Sequence, residues 1–555
     1  MDKQFFFERN LLSLSRIDAN LCARLSAAQT TLSHYRFVES KSGKLLSAWV
    51  DSSGRAHTLH SLTDPEKEAE RLISTVKDEG FLILLGLGSG YYAQAALKRD
   101  DIKRVLVIDF DIDGLAELFC FHEYIRIFND ERFSILIDPN ENDVRFKILN
   151  LYQPALHGGL KTLPLRGRTD FDVNNFSRAA SAIKKTLENI AEDYSVQSCF
   201  GKRWFSNIIH NVLLSENQYN VMPPALNCAV CAAGPSLDSQ TRIIKKERKN
   251  FFLIATDTSL PVLLKSGVKP DAVISIDCQH ISYYHFIGTE IEDVPLFLDL
   301  ASPPALFYRS KKIFFFSGGH PLTNYISANY RNFPILDVSG ANVTYAAVTL
   351  AEKLGARRVK IFGADFSYPM GAIYARGAYF YPFFYRKQNR LQTAESKISE
   401  FLYKTPSLKR IKKQDSWYYE TKSMNLYKQR LEEKSASLIP VLTAENGPGA
   451  KINIAQNNAG APSARLQVFA SGGSIIGAKE FLNTYINKIN DMPPVKENIT
   501  FYLSKLRMEE KLIFTTLLPV AANFRFRNRD KPLEELVEEV KNYCVLKIEN
   551  ILKSD

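Results

Sequence analysis

Cysteine is scarce in this sequence. Seven in 555 residues (Cys22, Cys120, Cys199, Cys228, Cys231, Cys278 and Cys544) are few and odd in number. That excludes a disulfide framework as the organising principle and fits reduced thiols. Long apolar runs are missing too. Stretches such as Phe81–Leu85 and Ile313–Phe316 are only five and four residues long, against the roughly 20 residues a membrane-spanning helix needs. The opening Met-Asp-Lys-Gln-Phe-Phe-Phe-Glu-Arg has an apolar core of three residues and does not read as a signal peptide. The expectation is a cytoplasmic chain with no membrane span. Histidine is limited to nine residues, none after His320. Any general base from the final stretch must then be a carboxylate, a tyrosine, a lysine or a substrate phosphate.

What is present is ordinary in amount. Hydrophobic residues make up 45% and charged residues 24%, which excludes disorder, collagen and coiled coil as the main character. The length favours about three or four domains. Seventy-one basic residues against 60 acidic ones give a net charge of +11, which permits an anionic substrate without demanding nucleic acid.

The pattern along the chain is α/β. Residues 1–75 read as a small β-rich opening module, with strand-like residues over Tyr35–Val50. Residues 76–222 read as a Rossmann-like domain. There Phe81–Leu85 runs into Gly86-Leu-Gly88-Ser-Gly90, then a helix, then the strand Arg104–Ile108 closed by Asp109. Glycines let backbone amides approach an anion at a helix N-terminus, and the acid is placed for a ribose. The loop suits a dinucleotide or S-adenosylmethionine, and equally a scaffold that binds nothing.

Residues 223–450 read as a second parallel-sheet unit. Its predicted strands are Asn227–Ala232, Phe251–Ala255, Ala272–Ile276, Pro295–Leu298, Lys312–Phe316, Pro334–Val338 and Arg358–Phe362. Val343, Ala346, Ala347, Leu350, Ala351 and Leu354 follow the i, i+3, i+4, i+7 rule of a helix. An aromatic and basic insertion occupies 366–436, and 451–555 reads as helical. Small or polar groups close the predicted strands: Gly234-Pro235-Ser236, Thr256-Asp257, Asp277, Ser339-Gly340 and Gly363-Ala-Asp365. In a parallel sheet those ends share one edge, where ligands bind. Asn342 and Thr344 sit at the first turn of the helix after Gly340, where orphan amides favour phosphate.

Other signals read as structural. Cys228 and Cys231 lie three apart on a strand and so point to opposite faces. His280 and His320 follow predicted strand ends and remain candidate bases, with a loop histidine as the default reading of each. Asp109, Asp111 and Asp113, or Asp271 and Asp277, have no trusted metal spacing, so no metal is expected. Tyr374–Tyr385 with Arg376, Arg386 and Lys387 fits a lid or a packed insertion equally. Phe524–Lys531 alternates aromatic and basic residues, with an amphipathic loop or strand as its default.

The second unit resembles the core of the motility-associated-factor (Maf) flagellin glycosyltransferases. The residues that carry this are Ala233-Gly-Pro-Ser-Leu-Asp238, Ala255-Thr-Asp-Thr-Ser259, Gly267-Val-Lys-Pro-Asp271, Ser275-Ile-Asp277, Ser339-Gly-Ala-Asn-Val-Thr344 and Gly363-Ala-Asp-Phe-Ser-Tyr368. The same domain is similar to the 6-hydroxymethylpterin diphosphokinases (MptE-like) and, more distantly, to bacterial sialyltransferases. The resemblance implies transfer of a nonulosonic acid of pseudaminic or legionaminic type from its CMP donor to flagellin Ser/Thr hydroxyls. It implies that Gly234, Pro235 and Ser236 cradle donor phosphate, that Thr256, Asp257 and Asp277 face the nucleoside, and that Ser339, Gly340 and Asn342 close over phosphate or carboxylate. Where the relatives carry a general-base histidine, this chain has Tyr374, which leaves Asp365 or Tyr374 as candidate catalytic groups. Two rivals stand beside this reading: a diphosphokinase using ATP and Mg²⁺ on a pterin-like alcohol, and a non-catalytic flagellin-binding assembly factor. No nucleic-acid partner is expected, and self-association is left open.

Overall fold

The computed structural model describes residues 3–28, 35–51, 53–413, 416–455 and 469–554. His34 lies outside them. The chain forms two compact units, Met1–Gly201 with Asp491–Asn542, and Lys202–Asn490 with Tyr543–Asp555.

The first unit is built on a four-stranded parallel sheet in the order Phe133–Ile137, Arg104–Asp109, Phe81–Leu85, Leu160–Pro164. Phe81–Leu85 is buried throughout, because a central parallel strand is covered on both faces. Phe81, Ile83 and Leu85 pack with Phe176, Ala179 and Ile183 of the long helix Val173–Ser215. Leu82 and Leu84 face Leu115, Phe119 and Tyr124. The predicted opening strands form a three-stranded antiparallel sheet, Tyr35–Glu39, Leu45–Val50 and Ala56–Thr58. Two helices precede it, Lys3–Leu14 and Ala19–Ser26, the second capped by the Asp18 side chain on Leu21 N–H at 2.9 Å.

The chain's last helices contribute to this unit as well. Met508–Arg527 is helical through Pro519, and a Cβ at Gly201 would overlap the Pro519 carbonyl. Only glycine permits that approach. Phe524–Arg527 is the last turn of this helix rather than a loop or strand, and Arg525 donates to the Ala155, Arg529 and Lys531 carbonyls. The alternation of rings and charges there is helix termination.

The second unit is built on a seven-stranded sheet with every pairing parallel. Its order is Ile313–Phe316, Leu296–Asp299, Ala272–Ser275, Phe252–Thr256, Asn227–Cys231, Arg358–Phe362, Val441–Ala444. Val343–Lys353 covers one face, where Ala346, Ala347, Leu350 and Ala351 meet Val230, Ile254 and Ile274. Pro334–Val338 is not a strand. It makes one bridge, Ser317 with Ile335, because Pro334 has no N–H to continue a ladder. The insertion holds three antiparallel strands, in the order Tyr368–Pro369, Trp417–Glu420, Lys409–Lys412. The helices Phe380–Lys387, Ala394–Tyr403 and Lys422–Ser435 complete it. No helix among the described residues is long and apolar enough to cross a membrane.

Candidate functional site

Strand order locates the site. From the strand Asn227–Cys231 the chain moves outward through four strands, then returns to the other side of it with Arg358–Phe362. Loops leaving those two neighbours diverge and open a crevice at the carboxyl ends, the switch point where open α/β sheets bind ligands. The loops are Ala233–Ser236 and Gly363–Asp365.

The two loops are joined directly. Gly234 N–H donates to the Gly363 carbonyl at 2.7 Å, and Ser236 N–H donates to Asp365 Oδ2 at 2.8 Å. A side chain at Gly234 would overlap the Asp365 carboxylate. Asp365 is 2% exposed, and a Cβ at Gly447 would lie 2.9 Å from its Oδ1. Burial pushes its carboxyl above the ordinary range, with the Ser236 N–H opposing. Asp365 braces the Gly-Pro-Ser loop through its Oδ2, while its Oδ1 is buried without a hydrogen-bond partner among the described residues. Ser236 Oγ is buried and has no hydrogen-bond partner among the described residues.

The next two strand ends supply acids. Asp257 is buried. Its Oδ2 accepts from Ser275 Oγ at 2.7 Å, and its Oδ1 from Thr258 N–H at 2.6 Å and Thr258 Oγ1 at 3.0 Å. Thr256 Oγ1 accepts from Ser259 N–H at 3.3 Å. Asp277 Oδ1 accepts from Gln279 N–H at 2.9 Å. Burial raises the Asp277 carboxyl, Asp257 adds to the rise, and His285 opposes it.

His285 is the residue the sequence reading passed over. It lies in the 3₁₀ helix His280–Phe286 that follows Asp277, and it is 8% exposed. Its Nδ1 is buried without a hydrogen-bond partner among the described residues, and the Tyr379 ring stands edge-on to it at 4.4 Å. Burial lowers its pKa, while Asp257 and Asp277 pull it upward. It is therefore a neutral imidazole beside two acids at the carboxyl edge of the sheet.

Tyr374–Tyr381 folds over this edge. Ala375 N–H donates to the Ala233 carbonyl at 2.9 Å, and the Tyr374 ring stacks on Phe380 at 4.8 Å. Burial drives the Tyr374 phenol well above its ordinary value, so it stays protonated. Asp299 closes the next strand. Burial pushes its carboxyl up to about 7, against donation from the Ala301 and Gly318 N–H groups.

The Ser339-Gly340-Asn342 group is locally committed. Ser339 Oγ donates to Asp337 Oδ1 at 2.7 Å, Asn342 Oδ1 caps its helix on Tyr345 N–H at 2.9 Å, and Gly340 abuts the Tyr345 ring. Thr344 is buried in the first turn. The acid that organises this corner is Asp337, held down to about 2 against its burial by Ser339, Tyr345 and Lys434. His280 is exposed, while His320 is a helix cap whose ring burial lowers to about 4. Among the described residues no three His, Cys, Asp or Glu side chains cluster as metal ligands do.

The first unit's glycine loop is filled by its own protein. Gly86, Gly88 and Gly90 all take positive φ, but Leu87 N–H donates to Asp109 Oδ2 at 2.8 Å, and Tyr124 Oη donates to the Gly88 carbonyl at 2.7 Å. Asp109 is 4% exposed and pairs with Arg168, 1% exposed, at 3.1 Å. The Arg168 guanidinium lies 4.5 Å from the Trp49 ring centre and 5.2 Å from that of Phe176. The amide and the acid that a nucleotide needs are used internally.

Residues 202–371 match the family model described as "6-hydroxymethylpterin diphosphokinase MptE-like". An uncharacterized protein of Treponema pallidum (strain Nichols) is 30% identical over 162 residues, 28% of this chain and 77% of that protein. A second from the same organism is 30% identical over 129 residues, 23% of this chain and 45% of that protein. Among solved structures, a Maf glycosyltransferase from Magnetospirillum magneticum AMB-1 superposes over 99% of this chain and 95% of its own. The TM-score is 0.61 at 13% identity, a likeness of fold. The chain has the Maf fold on an MptE-like core, and it belongs to one family with the first treponemal protein. In this Maf fold the matched segment contains the whole switch-point pair of strands, Asn227–Cys231 and Arg358–Phe362, together with His285.

Proposed function

We propose that this chain is a glycosyltransferase that moves a nonulosonic acid from a CMP donor to a Ser/Thr hydroxyl of a protein acceptor, flagellin in the reading developed above. The observation that carries it is the switch-point edge, where a glycine loop, two acids and a neutral imidazole meet under one aromatic segment. The likeness to a solved Maf glycosyltransferase supports the same reaction class.

In this reading the Gly234–Ser236 loop takes donor phosphate, with Ser236 Oγ the unpartnered donor. Thr256, Asp257 and Asp277 face the nucleoside. Ser339, Gly340, Asn342 and Thr344 present backbone at a helix N-terminus rather than side chains. His285 takes the acceptor proton as the acceptor oxygen bonds to the anomeric carbon. The bond from that carbon to the donor phosphate breaks, and CMP leaves with the electron pair. Tyr374 and Asp365 position the loops around this step.

A thermal-shift titration with CMP, with ATP and Mg²⁺, and with S-adenosylmethionine tests the assignment. Only ligands that bind the folded state raise the melting temperature. CMP is expected to stabilise the chain, and both Asp257→Ala and Ser236→Ala are expected to lose most of that shift. Ser236→Ala removes one unpartnered hydroxyl and keeps the fold. Stabilisation by ATP with Mg²⁺ alone would replace this reading with diphosphoryl transfer. No shift with any of them would leave a non-catalytic scaffold. S-adenosylmethionine is expected to do nothing, since the Gly86–Gly90 loop is filled.

A further inference from the structure

Residues 366–436 hold 14 lysines and arginines against six acidic residues, eight of the chain's eleven net positive charges. Within this segment the strand Lys409–Lys412 lies at the edge of its three-stranded sheet, paired on one side only, with Trp417–Glu420. Lys409, Arg410 and Lys412 are exposed. Among the described residues, Arg386, Arg390, Lys409 and Lys412 make no ion pair.

The register tells which backbone groups face outward. Lys413 N–H donates to the Ser416 carbonyl at 2.8 Å, so that pair is hydrogen-bonded. Alternation in an antiparallel ladder then makes Ile411–Tyr418 and Lys409–Glu420 bonded pairs, and Lys412–Trp417 and Arg410–Tyr419 the open ones. The Trp417 carbonyl agrees, since it turns the other way to accept from Met370 N–H at 3.0 Å. The N–H and C=O of Arg410 and Lys412 therefore point out of the free edge, flanked by their own cationic side chains.

An exposed edge of this kind is a template for another strand, and lysines on it repel a second copy of itself. We propose that this edge docks an extended, acidic polypeptide segment as an added strand, with backbone bonds to Arg410 and Lys412 and carboxylates against the unpaired bases. The proposal extends the acceptor reading above, because it makes the insertion the place where a protein acceptor is held.

The test is fluorescence anisotropy on the full chain with a labelled 12-residue peptide of alternating Thr and Glu, its Thr/Lys twin, and a heparin fragment. The acidic peptide is expected to bind and the lysine twin not. Lys412→Pro, which removes an outward N–H without touching the inner ladder, should weaken binding at least tenfold more than Lys412→Ala, at an unchanged melting temperature. The double variant Lys409→Glu/Lys412→Glu keeps the backbone edge and should exchange preference to the lysine twin. No peptide binding, equal losses in Lys412→Pro and Lys412→Ala, or heparin binding as tightly as the acidic peptide would each overturn the proposal. Binding is read without donor, so the two readings fail separately: peptide binding without glycosyl transfer sinks only the enzymatic one, and transfer without peptide binding sinks only this one.

Discussion

His285→Ala is expected to slow glycosyl transfer by about 10²- to 10⁴-fold, the range for removing a positioned general base, while the CMP-induced rise in melting temperature persists. The geometry separates the two effects. His285 sits beyond Asp277 against Tyr379, whereas the phosphate loop lies at the strands Asn227–Cys231 and Arg358–Phe362. Burial keeps its ring neutral, and the nearby Asp257 and Asp277 carboxylates favour the imidazolium once a proton arrives. Transfer should therefore rise with pH through a single acid limb that lies below 6.5, the ordinary histidine value, and then level off. The stability sign follows from the same shift. Below 6.5 the unfolded chain takes a proton that the folded ring resists, so this group lowers stability as pH falls. His285→Gln should flatten that limb. A His285→Ala enzyme retaining more than a tenth of the transfer rate would remove His285 from the mechanism.

Asp365 should behave differently. It holds Ser236 N–H and lies against Gly447, so Asp365→Asn is expected to disturb the phosphate loop first. Its signature is a raised donor KM with a smaller change in kcat. Equal loss of kcat with donor KM unchanged would return Asp365 to the reacting centre.

Most strands of both parallel sheets are legible because strands covered on both faces are continuous apolar runs, whereas Phe133–Ile137, Leu160–Pro164 and Val441–Ala444 are not singled out. Phe81–Leu85 and Ile313–Phe316 are the plainest cases. The strand-end acids Asp257 and Asp277 follow from the same reading, since an acid that closes such a run sits at the sheet edge. His285 is not legible. Its turn has no periodicity, and its meaning comes from Tyr379, nearly a hundred positions later, and from acids on two other strands. Ser339 and Asn342 show the converse. They are the residue types that bind phosphate, but a hydroxyl two residues after Asp337 and an amide at a helix start both find partners within their own turn. The filling of the glycine loop depends on Arg168, which follows a strand that no local signal singles out.

That arginine gives the second large expectation. Removing one partner of a buried ion pair leaves the other uncompensated and costs about 3–5 kcal/mol. Arg168→Met is expected to lower the unfolding temperature of the first unit by on the order of 10 °C, read as one of two calorimetric transitions. Burial already pushes the Asp109 carboxyl upward while the Arg168 guanidinium pulls it down. Without the arginine, Asp109 is driven toward its protonated form and its acceptance from Leu87 N–H weakens. The double variant Asp109→Asn/Arg168→Met removes both charges from the same apolar surroundings, between Trp49 and Phe176, and should recover at least half of the loss. The CMP shift should be untouched in both variants, since the proposed donor site belongs to the other unit. If Asp109 instead held a ribose, Asp109→Asn would change stability little and abolish a nucleotide-dependent shift. A small stability change together with a lost ligand response would therefore turn the loop from a packed scaffold back into a binding site.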